Sequence, residues 1–217
     1  MLQPALDRAA ATTREALYIR SGDPLASRFG AFGHNSCIEW PRLAIDNPGG
    51  VAIGDEVYVR ANSCFEALTP PGTVVIRLGN RIHIGYSVRF VAVNGIELAD
   101  DTAVGHGSTL TDTIHTYKDA GPDDAAWQSG LKVGDPLRVA TGAWIGNNNV
   151  VTGGITIGEG AITAANSVIN RNVPPDTVVG GNPARLMRQK RNGKWEWLTD
   201  PDELDLETQL AIAERQG

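Results

Sequence analysis

Apolar residues recur at every sixth position through most of this chain, and no other feature limits its fold so tightly. The longest run is Val139, Ile145, Val151, Ile157, Thr163 and Ile169. The same spacing yields Ile53, Val59 and Phe65, then Leu78, Ile84 and Phe90, then Leu98, Val104 and Leu110. Of these fifteen anchors only Thr163 is neither aliphatic nor Phe. The residue after each anchor is mostly tiny, as at Gly54, Gly79, Gly85, Gly105, Gly146 and Gly158, and the fourth is mostly small. Six residues make one short strand and a turn. Three such units close a triangular coil whose anchors point inward, and the tiny residue lets the backbone round the corner. Coils stacked at about 4.8 Å bury a continuous apolar column that no single coil could bury alone. Five coils give a prism about 24 Å tall.

Breaks in the phase mark insertions. One spans residues 66–75 with Pro70-Pro71-Gly72, and another adds two residues around Asn94-Gly95. The longest occupies 116–138 and carries Gly121-Pro122 and Trp127. Insertions thrown out of a rigid repeat tend to shape sites. Outside the repeat, Leu6, Ala9, Ala10, Thr13, Ala16 and Leu17 fall at helical spacing before Ser21-Gly22. Asp200-Pro201 is suited to open a second short helix. The expected organisation is an N-terminal helix and linker over 1–30, an all-β solenoid over 31–184, and a basic segment with a capping helix over 185–217. Trp195 and Trp197 are expected to cover the open end of the prism.

The balance of 25 Gly against 5 Trp, 4 Tyr and 4 Phe suits repeated turns better than a bulky aromatic core. A net charge of −6 argues against nucleic acid as the main ligand. Two cysteines, Cys37 and Cys64, cannot make a disulfide framework and read as plain buried thiols in a reducing, cytoplasmic setting. No membrane span or signal sequence is expected.

Several runs resemble the hexapeptide-repeat acyltransferases. They are Trp144-Ile145-Gly146-Asn147-Asn148-Asn149-Val150, Gly154-Ile155-Thr156-Ile157-Gly158, Ala164-Ala165-Asn166-Ser167-Val168, and the ending Val173-Pro174-Pro175 with Gly180-Gly181-Asn182-Pro183-Ala184-Arg185. Ala44-Ile45-Asp46-Asn47-Pro48 leading to Ile53-Gly54-Asp55 is also similar. The resemblance covers about residues 30 to 190, and its nearest branch is the sugar and polysaccharide O-acetyltransferases of the maltose and galactoside type. It implies a left-handed parallel β-helix, against the usual right-handed rule for parallel crossovers. It also implies a homotrimer with sites between subunits, and acetyl-CoA as donor with no metal.

Acyl transfer from a thioester to a hydroxyl needs a base, oxyanion donors and a carrier site. His115 lies where the long insertion leaves the prism and matches the family's catalytic histidine after Thr111-Asp112-Thr113. Its orienting partner stays open among Asp112, Asp119 and a backbone carbonyl. Where some relatives place an asparagine, this chain reads Phe90-Val91-Ala92-Val93, which leaves Asn94 or a backbone N–H as the oxyanion donor. The resemblance assigns the pantetheine to Asn147, Ala165, Asn170 and Arg171, and the coenzyme A phosphates to Arg185 and Arg188; Trp144 resembles the family tryptophan near the acceptor and thioester, with packing at a prism corner as the alternative. Five of the 19 basic residues crowd into 185–194, which favours phosphate contact. Asp112, Asn94 and Trp127 are the candidates for the acceptor.

Three other readings compete. A zinc enzyme of the gamma carbonic anhydrase type needs three histidines, and the spacings among His83, His106 and His115 do not fit it. A non-catalytic scaffold would not need His115 at a loop exit. An antibiotic acceptor in place of a saccharide would draw on Trp127 and Leu131. The short segment ahead of the prism argues against an added nucleotide-binding domain. The expected activity is O-acetylation of a saccharide or glycolipid precursor.

Overall fold

The computed structural model describes residues 17–115 and 130–198. Strands of two to four residues follow one another around three parallel sheets, one on each face of a triangular prism. Two of these sheets are six-stranded, so the prism has six coils, one more than the repeat predicts. The extra coil precedes the legible repeat, with anchors Phe32, Ile38 and Ile45 in register with Ile53, Val59 and Phe65. The sequence hides it because Pro41 and Pro48 interrupt the spacing.

Every anchor pairs with an anchor. The first face stacks Phe32, Ile53, Leu78, Leu98, Val139 and Ile157. The second stacks Ile38, Val59, Ile84, Val104, Ile145, Thr163 and Val179. The third stacks Ile45, Phe65, Phe90, Leu110, Val151 and Ile169. Phe65 and Phe90 are fully buried and stack face to face with centroids 5.0 Å apart. Thr163, the polar exception, is also fully buried, and its hydroxyl accepts a 2.6 Å hydrogen bond from the Asn149 amide.

The corners follow from sterics. Three residues after the anchors of the first two faces the backbone turns left-handed, as at Asn35, Glu56, Asn62, Arg81, Ser87, Asp101, Gly107, Asn148 and Asn166. Asn, Asp and Gly tolerate that region best. Where glycine follows the anchor, the next coil is too close for a side chain: a Cβ on Gly54 would lie 2.3 Å from the Gly79 carbonyl oxygen.

The ends differ from expectation. Ile19–Arg20, read as the last turn of a helix, is a strand paired antiparallel with Cys37–Ile38. Ile19 is 4% exposed, so it serves as a core residue that covers the first coil. Leu17 and Tyr18 ahead of it form a turn, while residues 1–16 and the expected C-terminal helix lie outside the described residues. At the other end Thr177–Gly181 turns back into Ala184–Arg191 and then Lys194–Trp197, an antiparallel ribbon that crosses the expected boundary at 184. Ala184 and Leu186 close the core there. Trp195 and Trp197, expected to do so, are 37% and 59% exposed on the outer ribbon strand. The long insertion is also not all loop: Thr113–His115 and Leu131–Val133 pair antiparallel, and Leu137–Val139 resumes the solenoid.

Candidate active site

His115 is the last residue of the strand Thr113–His115 and lies opposite Leu131 at the outer end of this two-stranded ribbon. The ribbon rises from the third face after Leu110. Thr113 N–H donates to Thr111 Oγ1 at 3.2 Å, which bends the chain around Asp112. The Asp112 side chain, 1% exposed, turns inward and accepts from three successive backbone amides. Its Oδ1 takes Val93 N–H at 3.0 Å, and its Oδ2 takes Asn94 N–H at 2.7 Å and Gly95 N–H at 2.6 Å. That leaves Asp112 little capacity to hold an acceptor sugar, the role expected of it. Asn94 is exposed, and its amide donates to the Gly134 carbonyl at 2.9 Å, while Gly134 N–H donates to the Asp112 carbonyl at 2.9 Å. A cleft of about 290 Å³ beside the ribbon is lined by Asp112, Thr113, Ile114, Lys132, Asp135 and Gly154. Trp127, the remaining acceptor candidate, lies outside the described residues.

In the stretch Phe90-Val91-Ala92-Val93, Val91 stands on the outer row of the third face between Glu66 and Thr111. Glu66 is ion-paired with Arg89 and accepts the Cys64 thiol proton at 3.3 Å. Burial, reinforced by the hydrogen bond to Glu66 and its charge, pushes that thiol up to about 11.

The expected carrier residues gather on the second face and its corner. Trp144 is 54% exposed, and its outward row continues in register through Ile162 and Val178 to Arg188 and Trp197. Three strand spacings separate Trp144 from Arg188, about 14 Å. Asn147 and Ala165 are exposed on the adjoining corner, where Asn147 Oδ1 accepts from His106 N–H at 2.9 Å. Asn170 and Arg171 leave the third face of the last coil, exposed. Arg185 is half-buried beside Gly180, and the Arg188 guanidinium lies 3.6 Å from the Trp197 ring centroid. Trp144, Asn147, Ala165 and Arg188 therefore share one side of the prism, while His115 rises from another face.

One cluster goes unnoticed in the sequence. Glu39, its side chain 7% exposed, is ion-paired with Arg60 at 3.1 Å and accepts from the Tyr58 hydroxyl and from Ala61 N–H. Arg60 also lies over the Tyr86 ring at 4.5 Å. Burial and the hydrogen bond to Glu39 push the Tyr58 phenol up. Glu39 follows anchor Ile38, where most coils have Gly or Ala; that signal is visible only once the first coil is recognised. Among the described residues no three of His, Cys, Asp and Glu group to hold a metal ion. No described helix is long and apolar enough to cross a membrane.

No protein-family model matches the chain. A Schizosaccharomyces pombe protein with a provisional acetyltransferase name is 29% identical over 143 residues, 63% of this chain and 66% of that protein. The galactoside O-acetyltransferase of Escherichia coli is 26% identical over 126 residues, 55% of this chain and 59% of that enzyme. The chain thus spans less than two thirds of either relative's length. Among solved structures, a hexapeptide-repeat acetyltransferase of Vibrio cholerae, complexed with acetyl coenzyme A, has TM-score 0.51 at 28% identity. That match covers 76% of this chain and 74% of the other. AntD, an N-acyltransferase of Bacillus cereus solved with dTDP and coenzyme A, shares the fold with TM-score 0.68 at 19% identity, over 90% of this chain and 98% of that one. In sequence and in coil architecture together, the chain is similar to acetyltransferases, among them a hexapeptide-repeat enzyme.

Proposed function

We propose that the protein is an acetyl-CoA-dependent O-acetyltransferase that acts on a hydroxyl of a saccharide or glycolipid precursor in the cytoplasm. The observation that carries this reading is the in-register row from Trp144 to Arg188. Its length of about 14 Å suits an extended pantetheine arm, with Ile162 and Val178 beneath it and cations at its far end. Arg185 and Arg188 would hold the phosphates, and Asn147 and Ala165 would flank the arm. The galactoside name of one relative supports a sugar hydroxyl over an amine.

His115 is the general base of this reading. Its imidazole takes the hydroxyl proton as the oxygen attacks the thioester carbonyl. The tetrahedral oxyanion is held by a backbone N–H, since the stretch Phe90-Val91-Ala92-Val93 offers no side-chain donor. Collapse breaks the carbon–sulfur bond, and the imidazolium returns its proton to the departing coenzyme A thiolate. Because His115 and Trp144 stand on different faces, the base meets the thioester across a boundary between two copies, which supports a homotrimer.

The test is release of free thiol from acetyl-CoA in the presence of galactosides, amino sugars and hydroxylated antibiotics. Galactoside-dependent release that falls by two to four orders of magnitude in His115→Ala is the expected result. Release only with amino sugars would move the reading to N-acylation, and full turnover in a folded His115→Ala would remove the base.

A further inference from the structure

We infer that Asp112 is a positioning residue, whose buried carboxylate fastens the His115 ribbon to the coil below it. This inference rests on the reading of His115 as the base.

Two residues after its anchor, on the third face, the chain has Ala67 at 3% exposure and Ala92 at 0%. At the equivalent place after Leu110 it has Asp112, 1% exposed. A carboxylate in an alanine-sized place needs partners, because an unpaired buried charge is strongly destabilising. The partners come from the two-residue insertion around Asn94-Gly95, whose three consecutive amides converge on the Asp112 oxygens at 2.6–3.0 Å. Such a concave set of N–H groups is an anion nest, filled here by the protein's own side chain.

The same insertion also holds the other strand of the ribbon. The Asn94 amide donates to the Gly134 carbonyl, and Gly134 N–H donates to the Asp112 carbonyl, each at 2.9 Å. Both strands of the ribbon, Thr113–His115 and Leu131–Val133, are thereby tied to one bulge in the coil beneath, directly at their base. The break in phase at 94–95 and the acidic residue three before the histidine are two halves of one device. A ribbon joined to the prism only by its chain ends would pivot, and small displacements of a general base lower turnover steeply.

The experiment uses the full chain and two readouts. The first is hydrogen exchange. Asp112→Asn, which keeps shape but removes the charge, is expected to speed exchange at 93–95, 113–115 and 131–134 by at least about tenfold. Exchange in the coils from Ile53 to Phe90 should stay unchanged. The second is turnover of acetyl-CoA with methyl β-galactoside. Asp112→Asn is expected to lower kcat by about 10- to 100-fold with KM for acetyl-CoA held within about twofold. The double variant Asp112→Asn/His115→Ala should be no slower than His115→Ala, because both act through one group. Asn94→Ala, on the surface, should give a smaller loss of the same kind and guards against a misfolded Asp112 variant. Unchanged exchange in the ribbon, a loss confined to KM, or losses that multiply in the double variant would each overturn the inference. Full turnover in His115→Ala, or none with the galactoside in the unaltered protein, would sink the functional reading instead, and the exchange result would then decide Asp112 alone.

Discussion

Replacing Thr163 by valine makes the repeat uniform, and it should nevertheless weaken the fold. Thr163 is the one polar anchor among the fifteen of the repeat, and valine has its shape. By periodicity alone the change adds a buried methyl, worth about 0.8 kcal/mol. The structure reverses the sign. Thr163 Oγ1 accepts from Asn149 Nδ2 at 2.6 Å, and neither residue has any exposed surface. Asn149 cannot swing away, because its Oδ1 accepts from Ser167 N–H at 2.6 Å. Valine would leave the amide without its acceptor, at a cost of about 1–3 kcal/mol. The net expectation is a loss of about 0.5–2 kcal/mol, or roughly 1–8 °C in melting temperature for a chain of this size. Urea unfolding at fixed protein concentration measures it, since assembly would make the midpoint concentration-dependent. In an Asn149→Ala background the hydroxyl keeps only a 3.3 Å contact from Gly146 N–H, which also donates to the Thr163 carbonyl at 2.9 Å, and Thr163→Val should there be neutral or stabilising. A coupling of about 1–2 kcal/mol between the two sites is expected. A higher midpoint for Thr163→Val alone, or simple addition of the two effects, would refute the argument.

Gly54→Ala should destabilise the solenoid by about 1–3 kcal/mol, because the new Cβ meets the Gly79 carbonyl oxygen at 2.3 Å; an unchanged urea midpoint would count against the close stacking. Arg185→Gln with Arg188→Gln should raise KM for acetyl-CoA and weaken its salt dependence, and an unchanged KM would return both to a solvated basic face. Cys64 should resist a thiol reagent in the folded protein at pH 8 and react at once in urea, since burial and Glu66 hold its thiol up at about 11. The same shift has a sign for stability. The folded thiol keeps its proton above the ordinary value near 9, so between pH 9 and 11 the unfolded chain binds fewer protons and stability falls as pH rises. A flat stability profile across that window would contradict the burial of Cys64.

The sequence by itself determined the stacked-coil architecture, because a six-residue period brings every anchor to the same inward place and the tiny residue after most anchors is a local steric demand. Ile53, Leu78, Leu98, Val139 and Ile157 stack in the order their spacing requires. It also located the insertion that carries His115, since a loss of phase is itself a local signal. Only the tertiary structure decided what depends on contacts between coils. Ile19–Arg20 ends a segment read as helical, but the backbone groups of the first coil's edge strand claim it. Asp112 reads as a candidate ligand for a sugar until three amides from a coil some twenty residues earlier are seen to fill its oxygens. Trp195 and Trp197 read as a hydrophobic cover, and pairing sets them on the open side of a ribbon beside Arg188 and Lys190. Periodicity reports which residues face inward; it carries no information about which distant backbone groups need a partner, and that need placed every one of these residues.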